Sequence, residues 1–280
     1  MNNAKLKEIA SQVRRDVLRM VNGAKSGHPG GALSCTDYIV YLYFKGMNIN
    51  ANQFNLEGKN EDVFYLSNGH VCPAWYSTLA RKGYFPISEL GTLRKIGSKL
   101  QGHPTTIDGL AGIRSAAGSL GQGLSVSIGH ALSKKLSKDK GIVYTLLGDG
   151  ELQEGQIWEA AMFAAAHKVD NIIAAVDYNK VQIDGRTDDV ISLGDLRAKW
   201  ESFGWIVLET LGNDIDSIDE TFTNAKKLIL NNKPLIILLH TKMGYGVDFM
   251  LDDYKWHGVA PNDEELEKAL AQLEETLGDY

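Results

Sequence analysis

At 280 residues, 44% hydrophobic and 23% charged, the chain is long enough to bury a sizeable core as one large α/β domain or two small ones. A formal charge of −6 with no block of Lys or Arg argues against a nucleic-acid-binding surface, and the longest apolar runs fall far short of the roughly 20 residues that span a bilayer. Two distant cysteines, Cys35 and Cys72, argue against a disulfide framework or a thiolate zinc site and read as core thiols. With no signal peptide in view, the expected location is the cytoplasm.

In chain order, MNNAKLKEIASQVRRDVLRM predicts an amphipathic helix with Leu6, Ile9, Val13, Val17 and Met20 on one face. SGHPGG follows, placing His28 among glycine and proline. DVFYLS (Asp62–Ser67) reads as a strand and runs into LSNGH, which carries His70; LQGHP then places His103 in a loop. Leu120–Leu136 reads as a glycine-rich helix packed closely on a sheet. Beyond it, short apolar β-branched runs alternate with helical segments. The runs are Ile142–Leu147, Ile172–Val176, Trp205–Leu208 and Leu235–Leu239, without the polar alternation of a half-exposed sheet. The helices between them are Glu154–His167, Leu193–Phe203 and Ser217–Asn231, the last opening on a capping box from Ser217 to Glu220. The acidic end, NDEELEKALAQLEETLGDY, predicts a packing helix with Leu266, Leu270, Leu273 and Leu277 on one stripe.

This alternation predicts a doubly wound α/β fold, a mainly parallel sheet with helices on both faces, in a single domain over 1–280 with no internal repeat. Gly148-Asp149-Gly150 ends one strand and Asp177-Tyr178-Asn179 the next, with a helix between them making a right-handed crossover. Both turns therefore lie at one sheet edge, where open α/β sheets bind ligands. Carboxylate and amide oxygens there are hard donors suited to Mg²⁺ or Ca²⁺ together with phosphate oxygens. His28, His70, His103 and His257 lie in Gly- or Pro-rich loops, where an imidazole can face a cleft and move a proton near neutral pH. His130, His167 and His240, within helices or at a strand end, read as structural.

The order SGHPGG, LSNGH, LQGHP, GSLGQGLS, GDG, then 26 residues to DYN and NKVQIDG, and finally WHG resembles the transketolase family over nearly the whole chain. The resemblance implies a thiamine diphosphate-binding fold, with thiamine diphosphate and Mg²⁺ as cofactors and Ca²⁺ or Mn²⁺ as possible substitutes. It implies Asp149, Asn179 and the carbonyl of Val181 as metal ligands. His28, His103 and His257 would contact the hydroxyls of a ketose donor and relay protons, as catalytic residues. Cofactor contacts would come from His70 and Lys242 near the diphosphate, from Gly118, Ser119 and Leu120 along the aminopyrimidine, and from Gly148, Asp149, Gly150 and Glu154. Ser119 stands where the family frequently has proline. The implied reaction moves a two-carbon ketol unit from a ketose phosphate to an aldose phosphate.

Single-chain members continue into pyrimidine-binding and C-terminal domains that supply the glutamate activating the aminopyrimidine and most sugar-phosphate anchors. This chain ends without them, so the resemblance implies the N-terminal subunit of a split transketolase, assembled as α2β2 with a C-terminal partner subunit. Rival readings are another thiamine diphosphate enzyme, such as a 2-oxo acid dehydrogenase α subunit or a deoxyxylulose phosphate synthase, and a non-catalytic cofactor-binding regulatory subunit. A third is a haloacid-dehalogenase-like phosphatase, since NDIDSID (Asn213–Asp219) mimics a nucleophile D-x-D, although its position after GDG is the wrong order. Neither sugar is legible, and Tyr245 and Tyr254 read equally as channel or packing residues.

Overall fold

The computed structural model describes residues 1–280. Its strands are β1 (Val63–Leu66), β2 (Val143–Gly148), β3 (Ile172–Asp177), β4 (Val181–Gln182), β5 (Gly185–Arg186), β6 (Ile206–Leu211) and β7 (Leu235–His240). Its helices are α1 (Asn3–Ala24), α2 (Pro29–Tyr41), α3 (Cys72–Lys82), α4 (Gln122–Leu136), α5 (Gly155–Ala166), α6 (Thr187–Ile191), α7 (Leu196–Ser202), α8 (Ile215–Leu228) and α9 (Asp263–Leu270). The main sheet runs β1-β2-β3-β7-β6 with every neighbouring pair parallel, while β4 and β5 form a small antiparallel ribbon.

Strand residues alternate between two cores, which is why the strands read as unbroken apolar runs. Leu146, Ile173, Ala175, Ile237 and Leu239 point into the larger core, with α1, α2, α3 and α8. Leu147, Ile172, Ala174, Val176 and Leu238 point into the smaller one, with α4, α5 and α7. Both faces are thus covered, as a doubly wound sheet requires. The exception is β6, an edge strand whose outer residues Glu209 and Leu211 are exposed, so it alternates where the sequence suggested continuous burial.

Four further elements depart from the sequence reading. Two helices, α2 and α3, have no counterpart in it: α2 opens inside the SGHPGG loop motif and α3 follows LSNGH in a stretch without a predicted element, and all of α2 is buried, so it shows no polar stripe. The helix after β6 opens at Ile215, capped by Asp214, whose side chain accepts from the Asp216 amide. Ser217 instead exchanges a hydroxyl bond with Thr210 and accepts from the Leu211 amide, so it is no capping box. The acidic C-terminal helix stops at Leu270, and residues 271–280 lie along α1, held by Gln12 and Arg15.

Candidate active site

Because all five main strands are parallel, their C-terminal ends meet at one edge. Gly148 pairs with Asp177 across β2 and β3, and Asp177 with Leu239 of β7. At this edge lies a cavity of about 200 Å³ whose lining includes His70, Leu120, Gly148, Asp149, Gly150, Glu154, Asn179, Val181 and His257. A larger open hollow of about 610 Å³ lies against α4 beside Glu57, Lys59 and His130 and contains none of the expected site residues.

The Asp149 carboxylate is 2% exposed. It accepts from the amides of Gly150 and Lys180. Lys180 adopts a left-handed turn at φ 64°, the kind of backbone strain that concentrates at functional sites, and this turn aims successive amides at Asp149 and at Asn179 Oδ1. Burial first, then the nearby charge of Asp177, pushes the Asp149 carboxyl up to about 8. Asp177, equally buried, accepts from the Ser34 and Thr241 hydroxyls and from the Asn179 amide nitrogen; burial raises it to about 6 against these donors. These partners are all neutral donors, so two buried carboxylates stand near each other with no Lys or Arg side chain bonded to either.

Beside them the imidazole rings of His28, His70 and His257 lie 5.1 to 5.9 Å apart, centroid to centroid. His28 sits at the N-terminus of α2, His70 in the turn leading into α3, and His257 at the end of the Tyr254–Trp256 turn. Burial pushes His28 down to about 4 and His70 to about 3, reinforced by the charge of neighbouring histidines. Burial also lowers His257 and His103. All four are therefore neutral at pH 7, able to donate at one ring nitrogen and accept at the other. His103 packs on the Gly118 turn, where φ is +133° and a Cβ would approach its ring to 3.1 Å.

Four buried polar atoms in this cluster have no hydrogen-bond partner: Asn68 Oδ1, Gln182 Nε2, His28 Nδ1 and His257 Nδ1. Buried polar groups are normally satisfied, so the orphans of Asn68, Gln182 and His257 lining the cavity, with His28 beside His70 and His257, mark the place of a polar ligand. The donor chemistry also fits a hard divalent cation, since the Asp149 carboxylate and the Asn179 amide line the cavity together with Val181, whose main-chain oxygen is a donor of the same kind. No cluster of three His, Cys, Asp or Glu side chains suited to a metal occurs.

The expected residues do not all converge. Ser119 opens onto a small adjoining cavity with Ser67 and Gly123. Lys242 is exposed and lies outside the cavity, its main-chain amide bound to Asn213. Tyr245 stacks on the Arg14 guanidinium at 4.8 Å, a packing role, while Tyr254 is exposed. In the D-x-D-like stretch, Asp214 caps α8, Asp216 pairs with Lys7 and Asp219 with Lys45, so none is free as a nucleophile. Gly148 has no positive φ, and a Cβ there would meet nothing nearer than 3.6 Å, so it leaves room in the cavity and answers no backbone demand.

Sequence reasoning missed three polar residues. Asp177 passed as a strand end. Glu151, 2% exposed, accepts from Ser67 and from the Gly121 and Gly148 amides, tying together the ends of β1 and β2 and the loop before α4. Arg94 bonds Ser26 and approaches Gly102, joining the two loops that carry His28 and His103. Glu151 follows the GDG unit by a single residue and could have been flagged by that position; Arg94 carries no local signal.

A parallel α/β sheet with a glycine-flanked carboxylate and orphaned polar atoms at its C-terminal edge is a cofactor-binding domain. The family described as "Transketolase, thiamine diphosphate binding domain" matches residues 5–276. The chain belongs to the transketolase family, as its thiamine diphosphate-binding domain. It is 39% identical over 264 residues to a subunit of the apulose-4-phosphate transketolase of Phocaeicola vulgatus, covering 94% of this chain and 92% of the relative. It is 40% identical over 269 residues to the 6-deoxy-6-sulfo-D-fructose transketolase subunit SqwG of a Clostridium species, covering 96% of each. Among solved structures it matches the transketolase of Campylobacter jejuni with a TM-score of 0.89 at 31% identity, over 98% of this chain and 43% of that one. The relatives favour a transketolase subunit over the other thiamine diphosphate classes.

Proposed function

We propose that this chain is the N-terminal subunit of a split transketolase, which with a C-terminal partner subunit moves a two-carbon ketol unit from a ketose phosphate to an aldose phosphate. The observation that carries this reading is the match, over almost their full length, to proteins named as transketolase subunits. The same names support a partner subunit, and the family's architecture supports an α2β2 assembly. No helix of the chain is long and apolar enough to cross a membrane.

In this reading Asp149, the Asn179 amide oxygen and the Val181 carbonyl would hold Mg²⁺, and Gly150 and His70, which line the same cavity, would face the diphosphate. Thiamine diphosphate, when bound, supplies the electron sink for cleaving and forming the carbon–carbon bond. The chain's own residues orient the sugar and handle its protons. Neutral His28 and His257, with buried Nδ1 atoms free of partners, bond the donor's hydroxyls and accept or return a proton there. His103, more exposed, meets the sugar at the mouth. Arg94 keeps the His28 and His103 loops at a fixed spacing.

The test is a ketol-transfer assay with Mg²⁺ and thiamine diphosphate, run on the chain alone and with the candidate partner polypeptide. The donor–acceptor panel covers xylulose 5-phosphate with ribose 5-phosphate, and the apulose and sulfofructose substrates named for the relatives. Transfer is expected only in the mixture. Full activity of the chain alone, or cofactor binding in the mixture with no transfer across the panel, would overturn the reading.

A further inference from the structure

We propose that Asp177 is a positioning residue for the cation site: it captures the amide nitrogen of Asn179 and so presents that side chain's oxygen beside the Asp149 carboxylate. The inference rests on Asp149 and Asn179 being metal ligands.

An asparagine amide has a donor end and an acceptor end of nearly equal shape, and only its partners decide which end faces where. Three elements converge to make that decision. Ser34 of α2 donates to Asp177 Oδ1 at 2.6 Å, and the Thr241 hydroxyl, just after β7, donates to the same oxygen. With both hydroxyl protons committed, Asp177 is clamped between helix and sheet, and its Oδ2 remains an acceptor. Asn179 Nδ2 donates to that oxygen at 3.0 Å. The same nitrogen lies 3.4 Å from Ser34 Oγ, whose proton is already spent, so it too can only accept there. The flipped amide would set an oxygen against two acceptors. Asn179 Oδ1 therefore faces the other way, takes the Val181 amide at 2.9 Å, and keeps a lone pair for a cation.

The identity of residue 177 matters for the same reason. A carboxylate accepts at both oxygens and enforces one orientation; an amide in its place could offer NH2 to Asn179 Oδ1 and release the flip. Asp177 is also a second buried carboxylate beside Asp149, with neutral partners only, and a divalent ion would stabilise the ionised form of both.

The experiment titrates Mn²⁺ into the full chain with thiamine diphosphate present, following free Mn²⁺ by electron paramagnetic resonance, alongside melting curves of the metal-free protein. Asp149→Ala is expected to abolish the site. Asp177→Asn is expected to weaken Mn²⁺ binding about 10–100-fold, the usual cost of losing a group that orients a metal ligand, without lowering the metal-free Tm. The exchange Asp177→Asn with Asn179→Asp restores one carboxylate–amide pair and is expected to recover most of the affinity; a residue needed only for folding gives no such recovery. Mn²⁺ affinity of Asp177→Asn indistinguishable from wild type, or an exchange variant no better than the single one, would overturn the inference. If wild type and Asp149→Ala bind Mn²⁺ alike, the metal assignment itself fails and takes the inference with it.

Discussion

His28 and His70 are held well below the ordinary histidine value, at about 4 and about 3, because burial disfavours the imidazolium and neighbouring histidines would repel it. A histidine lowered in the folded state contributes stability that is complete above the unfolded value near about 6.5 and is lost as the pH falls through the folded value. Between pH 6.5 and 4 the unfolded chain takes up protons that the folded site refuses. Asp149, raised to about 8, has the opposite sign: its contribution is present in acid and lost as the pH rises. A raw melting curve mixes the two, so the comparison must be with a variant. His28→Asn, at a position that caps α2 without using its side chain, is expected to narrow the acid loss, so that wild type falls progressively behind it in Tm from pH 6.5 to 4. Parallel curves for the two proteins across that window would show that His28 does not resist protonation. The same neutrality suits the proposed role, since an imidazole bonded to sugar hydroxyls needs one donor and one acceptor.

At the scale of elements, the first turn of α4 lies so close to the end of β1 that a Cβ at Gly123 would come within 2.7 Å of the Ser67 Cα and nearer still to its side chain. The Gly123 amide donates to Ser67 Oγ, and that hydroxyl donates to Glu151, so helix and strand ends share one polar knot. Gly123→Ala is expected to force α4 away at about 1–3 kcal/mol, read from urea unfolding, and to weaken thiamine diphosphate binding by displacing the Gly118–Leu120 loop. Unchanged stability would mean that α4 can slide without cost. The segments legible in the sequence were those with one dominant pattern. The β2, β3 and β7 runs are apolar on both faces, α1 carries an apolar stripe, and α4 and α5 flank β2 as helical segments. Buried all round and opening on Pro-Gly-Gly, α2 offers no periodicity to read, and α3 starts at Cys72-Pro73, just past the LSNGH loop motif, in a stretch without a predicted element. The end of the chain failed in the other direction. Leu273 and Leu277 keep a helical spacing, but the Thr276 and Leu277 amides donate to Gln12 Oε1, and Arg15 donates to the Leu270 and Leu273 carbonyls, which draws the chain off the helix. In the site, Asp149, Asn179 and the histidines were legible because glycine and turn residues surround them. Asp177 and Arg94 were not, because their partners, Ser34 and Thr241 or Ser26 and Gly102, are distant in sequence.

For the molecule as a whole, the two faces of the sheet are unequal: the larger core holds 48 buried apolar residues and the smaller 23, and the larger side carries the helices that deliver His28 and His70. That side is closed by α1, which is joined to its neighbours by buried ion pairs as well as by apolar contact. Arg14 pairs with Asp37 of α2, their side chains each 6% exposed. Asp16, fully buried, receives both Nε and Nη2 of Arg81 from α3, and the Ser77 hydroxyl as well. Such pairs add little net stability against a well-packed apolar substitute, but removing one partner strands the other charge in the core. Asp16→Ala is therefore expected to cost about 3–5 kcal/mol in urea unfolding, whereas replacing both partners, Asp16→Leu with Arg81→Met, recovers most of it. The exposed pair Lys268–Glu264 on α9 sets the reference, since Lys268→Ala is expected to leave the urea unfolding midpoint almost unchanged. If Asp16→Ala cost no more than that surface change, the join between α1 and α3 would be apolar alone. A loss that the double replacement fails to recover would mean instead that the shape of the Arg81–Asp16 pair, and not its charge balance, keeps α3 and its His70 turn in place.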